Sequence, residues 1–160
     1  GVHSSLDHLF ALIDLAKSYD LDQTFIHAFT DGRDCNPTTG QAHIKSLEDK
    51  LEGSKVKIAS VIGRYYAMDR DKRWDRIKLA YDLLKKGKGK STSTASEAIQ
   101  QSYEVETTDE FIKPHSIDKS GIIEKGDIFL CFNFRTYRFR EITMALTQQD
   151  VPEHQMQKLD

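Results

Sequence analysis

No run of eighteen apolar residues occurs in this 160-residue chain, so a membrane-spanning helix is excluded. The opening residues Gly1-Val2-His3-Ser4-Ser5 carry neither the basic nor the apolar segment of a secretory signal. Cysteine is scarce: Cys35 and Cys131 stand far apart, in no metal-ligand spacing, and two free thiols in a cytoplasmic protein are the expectation. His8, His27 and His43 share no metal spacing, and His115 and His154 sit in polar stretches with nothing to pair them, so no metal site is expected from this chain alone. A glycine-rich phosphate loop, a Ser-His-Asp order and a nucleophile elbow are all missing. So is an excess of one charge: 23 Lys and Arg face 25 Asp and Glu, for a net charge of −2. That balance gives no electrostatic footprint for nucleic acid or a membrane surface. The chain also lacks an initiator Met, and the expectation is a processed chain or a piece of a longer one.

What remains is one soluble domain, 38% hydrophobic and 30% charged, long enough to bury a core without a staple. Its eight Arg fall into three groups: Arg33; Arg64, Arg70, Arg73 and Arg76; and Arg135, Arg138 and Arg140. Arg presents a planar fork that matches carboxylate and phosphate, whereas Lys acts as a solvated point charge.

Leu6, Leu9, Phe10, Ile13 and Ala16 recur at helical spacing behind the capping residues Ser4 and Ser5. Thr24–Phe29 reads as a buried strand, and Thr39–Leu51 as a helix stopped by Gly53. Val56–Ile62 reads as a second strand that ends at Gly63-Arg64 in a charged loop. Helical patterns follow over Arg73–Lys86 and Ser93–Ser102, around the linker-like Lys85–Lys90. Asp109–Pro114 is expected to be a short strand, Gly121–Gly126 a turn-bearing loop, Asp127–Asn133 a third strong strand and Phe139–Thr147 a closing helix. Strands joined by crossover helices imply an α/β fold, a largely parallel sheet with helices on both faces, in a single domain.

In such a sheet ligands bind beyond the carboxyl ends of the strands. The first strand leads into Asp31-Gly32-Arg33-Asp34, the second into Gly63-Arg64 and Met68-Asp69-Arg70-Asp71, and the third into Arg135 and Arg138. All three Arg groups therefore gather on one sheet edge, as a site for a small, multiply negative molecule requires. Taken singly, each Arg-Asp pair reads equally as a surface ion pair of little energy. Asp34 and Asp71 either neutralise neighbours or supply a base, and position alone does not decide.

Four blocks carry a resemblance: Gly1-Val2-His3-Ser4; Phe29-Thr30-Asp31-Gly32-Arg33-Asp34; the long Gly63-Arg64-Tyr65-Tyr66-Ala67-Met68-Asp69-Arg70-Asp71-Lys72-Arg73-Trp74; and Phe132-Asn133-Phe134-Arg135. In order and spacing the chain resembles the cofactor-independent phosphoglycerate mutases over essentially its whole length. The likeness is to one of that family's two domains, the inserted phosphotransferase domain over residues 1–160. The resemblance implies interconversion of 3-phosphoglycerate and 2-phosphoglycerate through a phosphoserine formed on the other, phosphatase-like domain, which would carry two manganese ions. This domain would need no cofactor and would hold and reorient the glycerate. Carried over by position, the substrate contacts are His3, Arg33, Asp34, Arg64, Arg70, Arg135 and Arg138, with Asp34 as base toward the glycerate hydroxyl. The implied partners are the two phosphoglycerates and the phosphatase-like domain of the same chain, in a cytoplasmic monomer, and this part alone is expected to be inactive.

Two positions depart from the family pattern. Ser5 stands where a His usually follows Ser4, and Tyr137 stands where an Asp usually precedes Arg138. With no nucleophile or metal ligands in the chain, the competing reading is a non-catalytic binding module for small phosphorylated acids. Nucleic-acid binding through Arg with Tyr65, Tyr66 and Trp74 is opposed by the acidic balance.

Overall fold

The computed structural model describes residues 2–159; Gly1, the first residue of the Gly1–Ser4 block, and Asp160 lie outside the described residues. The chain alternates helices and strands from α1 (Leu6–Ser18) through β1 (Phe25–Thr30), α2 (Gly40–Leu51), β2 (Lys57–Gly63) and α3 (Arg64–Ala67) to α4 (Trp74–Lys86). It continues through β3 (Lys90–Ser91), α5 (Ala95–Glu104), β4 (His115–Ser116) and the short α6 (Arg140–Thr143), which widens into a π-helical turn over Met144–Gln148.

The sheet order is β1-β2-β4-β3, with β1/β2 and β3/β4 parallel and β2/β4 antiparallel, so the sheet is mixed but mostly parallel. β2 is central and apolar, and it must fill both faces. Its register against β1 slips between Ile26/Ile58 and His27/Ser60, which leaves Ala59 as a bulge. The bulged carbonyl accepts the N–H groups of Ile117 and Asp118, at 2.9 and 3.1 Å. Because the bulge resets the alternation, Ile58 and Val61 pack on one face, with Ile13, Ile44, Leu47, Ala98 and Ile99 of α1, α2 and α5. Ile62 packs on the other, with Ile77, Tyr81, Leu84, Ile142 and Leu146 of α4, α6 and the turn behind it. Helices thus cover both faces, as the strand-helix alternation implies.

Three local expectations need correcting. Asp127–Asn133 is not a strand: among the described residues it pairs with no strand of the sheet. Phe129 turns toward the core, while Ile128 and Leu130 stay 98% and 63% exposed. A β-prone sequence makes an extended chain, but only a paired edge makes a strand. Asp109–Pro114 is not a strand either. A single 3₁₀ turn forms at Asp109–Phe111, and β4 follows it.

The cause of that turn is Asp109, which is buried and ties several segments together. Its carboxylate accepts Gly40 N–H at 2.7 Å and the Tyr103 hydroxyl at 2.5 Å. Its own N–H reaches Pro37 O, and its carbonyl accepts Thr30 Oγ1 at 2.7 Å. Third, Arg64–Ala67 is helical where a loop is expected, since Tyr66 and Ala67 bury against α4.

Gly63 ends β2 by threading between Glu110 and Ile112. Its N–H donates to Ile112 O at 2.8 Å, and a Cβ there would lie 2.7 Å from both the Glu110 carbonyl carbon and the Ile112 nitrogen. Backbone cannot move aside as a flexible side chain can. Gly63→Ala is therefore expected to cost about 1–3 kcal/mol in urea unfolding. An unchanged unfolding midpoint would show that this crossing is slack.

Candidate functional site

Parallel pairing carries β1 and β2 out of the sheet together, ending at the Thr30–Gly63 pair. The loops that follow leave side by side. In the first loop, Asp31 Oδ1 accepts the N–H groups of Arg33 and Asp34 at 3.2 and 3.1 Å, and Gly32 takes the left-handed conformation this turn needs, at φ +66°. From the second loop comes Arg64, the first residue of α3, with its side chain only 3% exposed. Its Nη1 donates to Asp31 Oδ1 at 2.5 Å and to Asp34 Oδ2 at 2.6 Å.

Electrostatics follow from this clamp. The Arg64 hydrogen bond, opposed by partial burial and helped by His3, holds the Asp34 carboxyl below the usual carboxylate range. Burial pushes Asp31 up, but Arg64 and the two backbone N–H groups outweigh it and bring it down. Burial likewise opposes the charge on Arg64, and the two carboxylates more than restore it.

His3 completes this half of the site. It lies just ahead of α1, which Ser5 caps by accepting Asp7 N–H, and it is 7% exposed. Nε2 of His3 is 2.8 Å from Asp34 Oδ2, and Nδ1 is 3.3 Å from Asn133 Oδ1. The same Asn133 oxygen accepts Arg135 N–H at 2.8 Å, and Phe134 N–H donates to His3 O at 2.7 Å. Asn133 therefore ties the chain ahead of α1 to the segment that carries Arg135.

The other half is built on Asp69. Its Oδ1 accepts the N–H groups of Asp71 and Arg73, and its Oδ2 pairs with Arg73 at 3.1 Å and Arg76 at 3.6 Å. Burial pushes this carboxyl up and these donors pull it down further. The loop wound around Asp69 is tight enough to place Lys72 at φ +56°, and it presents Arg70 outward. Arg70 sits 5.6 Å from the centre of the Tyr137 ring. Arg138 lies 5.4 Å from the same ring and donates to Met68 O at 3.3 Å, so the Arg135–Arg138 turn rests on the Met68–Arg70 loop.

All seven residues expected from the sequence occupy this edge, but in different states. Arg64 is buried and doubly paired, and Arg33 points along the rim to Glu110 at 3.3 Å. Arg70, Arg135 and Arg138 have no carboxylate within ion-pair distance among the described residues, and the buried Nε of Arg138 has no hydrogen-bond partner there. The failed third strand does not scatter the site, because contacts through Asn133 and Met68 bring its Arg pair in. Asp31, Asp69 and Asn133 are the structural residues that sequence reasoning missed. An Asp two residues ahead of the N–H groups it accepts is the signal that marks the first two.

Among the described residues no group of three or more His, Cys, Asp or Glu side chains is placed to hold a metal ion. The manganese pair that the resemblance implies belongs to the other, phosphatase-like domain. No helix among them is long and apolar enough to cross a membrane.

The chain is, as a class, an α/β domain whose guanidinium groups converge at one sheet edge. The family described as BPG-independent PGAM N-terminus matches residues 1–160. The chain is similar to the 2,3-bisphosphoglycerate-independent phosphoglycerate mutase of Bacteroides fragilis, at 54% identity over 96% of this chain and 31% of that one. To the enzyme of the same name from Flavobacterium johnsoniae it is 50% identical, over 100% of this chain and 33% of that one. Crystal structures of Leishmania mexicana phosphoglycerate mutase at low cobalt concentration include a chain that superposes with a TM-score of 0.85 at 30% identity, over 94% of this chain and 30% of that one. The chain belongs to the BPG-independent phosphoglycerate mutase family and corresponds to its N-terminal region. It spans about a third of the length of the curated relatives it matches.

The Arg64 clamp has a pH signature. Arg64→Leu leaves two carboxylates side by side without their cation, which is expected to cost about 2–4 kcal/mol near neutral pH. Asp31 and Asp34 are held below their unfolded value of about 3.9. The stabilisation is thus full above that pH and is lost as pH falls through the lowered folded values. In urea unfolding, the gap between wild type and variant should be constant from about pH 7 to 5 and close below about pH 4. A gap that persists undiminished at about pH 2.5 would contradict the clamp.

Proposed function

We propose that this chain is the substrate-holding domain of a phosphoglycerate mutase that interconverts 3-phosphoglycerate and 2-phosphoglycerate. The observation that carries the reading is the trio Arg70, Arg135 and Arg138. They are three guanidiniums without carboxylate partners among the described residues, beside a carboxylate-histidine pair, in a chain of this family.

The chemistry divides between the two halves of the site. The unpaired guanidiniums bind the carboxylate and phosphate of the glycerate ester and stabilise charge on the transferring phosphoryl group. Arg33, on the rim, adds an exposed cation. Asp34 accepts the proton of the glycerate hydroxyl, with His3 and Arg64 both bonded to its Oδ2 and fixing its orientation. The phosphoryl group goes to a serine on the phosphatase-like domain and returns to the other glycerate oxygen. Retaining the glycerate in between makes re-phosphorylation an intramolecular event. Positioning without a nucleophile moves no phosphoryl group, so this chain alone turns nothing over.

Two substitutions in the full-length enzyme separate these roles. Asp34→Asn is expected to lower kcat by about 100-fold or more with KM changed little. Arg70→Ala is expected to raise KM about 10- to 100-fold, the weight of one charge-assisted contact. Steady-state kinetics with both phosphoglycerates supply the measurement. Near-normal turnover in both variants would dismiss the assignment.

A further inference from the structure

Arginines crowded on one surface usually carry acidic partners, and most at this edge do. Arg33 has Glu110, Arg64 has Asp31 and Asp34, Arg73 has Asp69 and Asp71, and Arg76 has Asp69. Arg70, Arg135 and Arg138 instead share one neutral side chain. The zeta carbons of Arg70 and Arg138 lie 5.6 and 5.4 Å from the centre of the Tyr137 ring, within cation–π range. Arg135 belongs to the same turn, its carbonyl accepting Arg138 N–H at 3.0 Å. Partial burial opposes ionisation of Tyr137, but the charges and hydrogen bonds of Arg135 and Arg138 prevail and draw the phenol below its ordinary value.

An aromatic ring does here what a carboxylate could not. A carboxylate between three guanidiniums holds them but spends charge on the pairing. A phenol spaces them through its face and its oxygen, and it leaves three positive charges open to an incoming anion. Tyr137 occupies the position where the family pattern has Asp, so in this chain the spacing role falls to a ring.

We propose that Tyr137 is a positioning residue that holds Arg70, Arg135 and Arg138 in a fan, un-neutralised, toward one dianionic group of the ligand. This rests on the reading that the site binds phosphorylated acids. Arg70 comes from the loop wound on Asp69, and Arg135 and Arg138 come from the turn before α6. Besides the Arg138 bond to Met68 O, the Tyr137 ring joins these two segments. Removing it frees Arg70 from the other two.

The test uses the 160-residue chain, with calorimetric binding of 3-phosphoglycerate and of inorganic phosphate, and ultraviolet titration of tyrosinate. Tyr137→Ala is expected to weaken both anions about tenfold, and Tyr137→Phe, which keeps the ring, to recover most of that loss. In the wild-type-minus-Phe difference spectrum, one phenol should ionise below about 10, the ordinary tyrosine value. Either anion should move that ionisation upward by drawing off the guanidinium charge. Equal anion binding by wild type and Tyr137→Ala would overturn the positioning role alone. A difference titration at the ordinary value, unmoved by Arg135→Ala or Arg138→Ala, would also overturn it. A wild-type chain that ignores both anions would overturn the substrate-site reading and this proposal together.

Discussion

Everything at the functional edge depends on one buried guanidinium. Arg64 emerges at the end of the central strand with its side chain sealed from water, and burying a cation is tolerable only if carboxylates come with it. Asp31 and Asp34 meet that demand, and in doing so they fix the loop after β1 against the start of α3. The parallel pairing of β1 and β2 makes the meeting possible, because Thr30 and Gly63 leave the sheet as neighbours. Gly63 must be bare for the chain to pass Glu110 and Ile112 and deliver Arg64 there.

That clamp has a consequence for recognition. One guanidinium and two carboxylates leave a local excess of negative charge around Asp34, which does not attract a phosphorylated acid. In the proposed function attraction comes from the other half, where Arg70, Arg135 and Arg138 keep their charges open. The edge thus separates a paired carboxylate, fixed in place, from a group of guanidiniums whose charge is unspent. Asp34 is held below the usual carboxylate range and so is a weak base; in the proposed function its contribution would lie in orientation beside the hydroxyl more than in basicity.

Much of this was legible in the chain. Helical periodicity located α1, α2, α4 and α5 to within a few residues, and the apolar runs located β1 and β2. Reading the residues after each strand brought Arg33, Arg64 and Arg70 to one edge. Arg135 and Arg138 arrived there by a different route. Asp127–Asn133 has the composition of a strand, but pairing is a property of two segments, and composition describes only one. Hydrogen bonds of Asn133 and Phe134 to His3, and of Arg138 to Met68, anchor that segment, and periodicity carries no trace of such contacts. The burial of Arg64 was equally hidden. An Arg after a strand reads as a solvent-facing contact, and only the geometry distinguishes it from the exposed Arg70. The antiparallel β2/β4 pairing that makes the sheet mixed was hidden because β4 has just two residues, too few for any pattern to declare.

The most direct measurement follows the arginine side-chain Nε–H resonances by NMR while 3-phosphoglycerate is added to the chain. The expected result is saturable movement of Arg70, Arg135 and Arg138, while Arg73 and Arg76, each paired to Asp69, stay in place. Uniform movement of all five would mean non-specific attraction to a basic surface. Movement of Arg73 and Arg76 without the trio would contradict the division between spent and unspent charge on which the site rests.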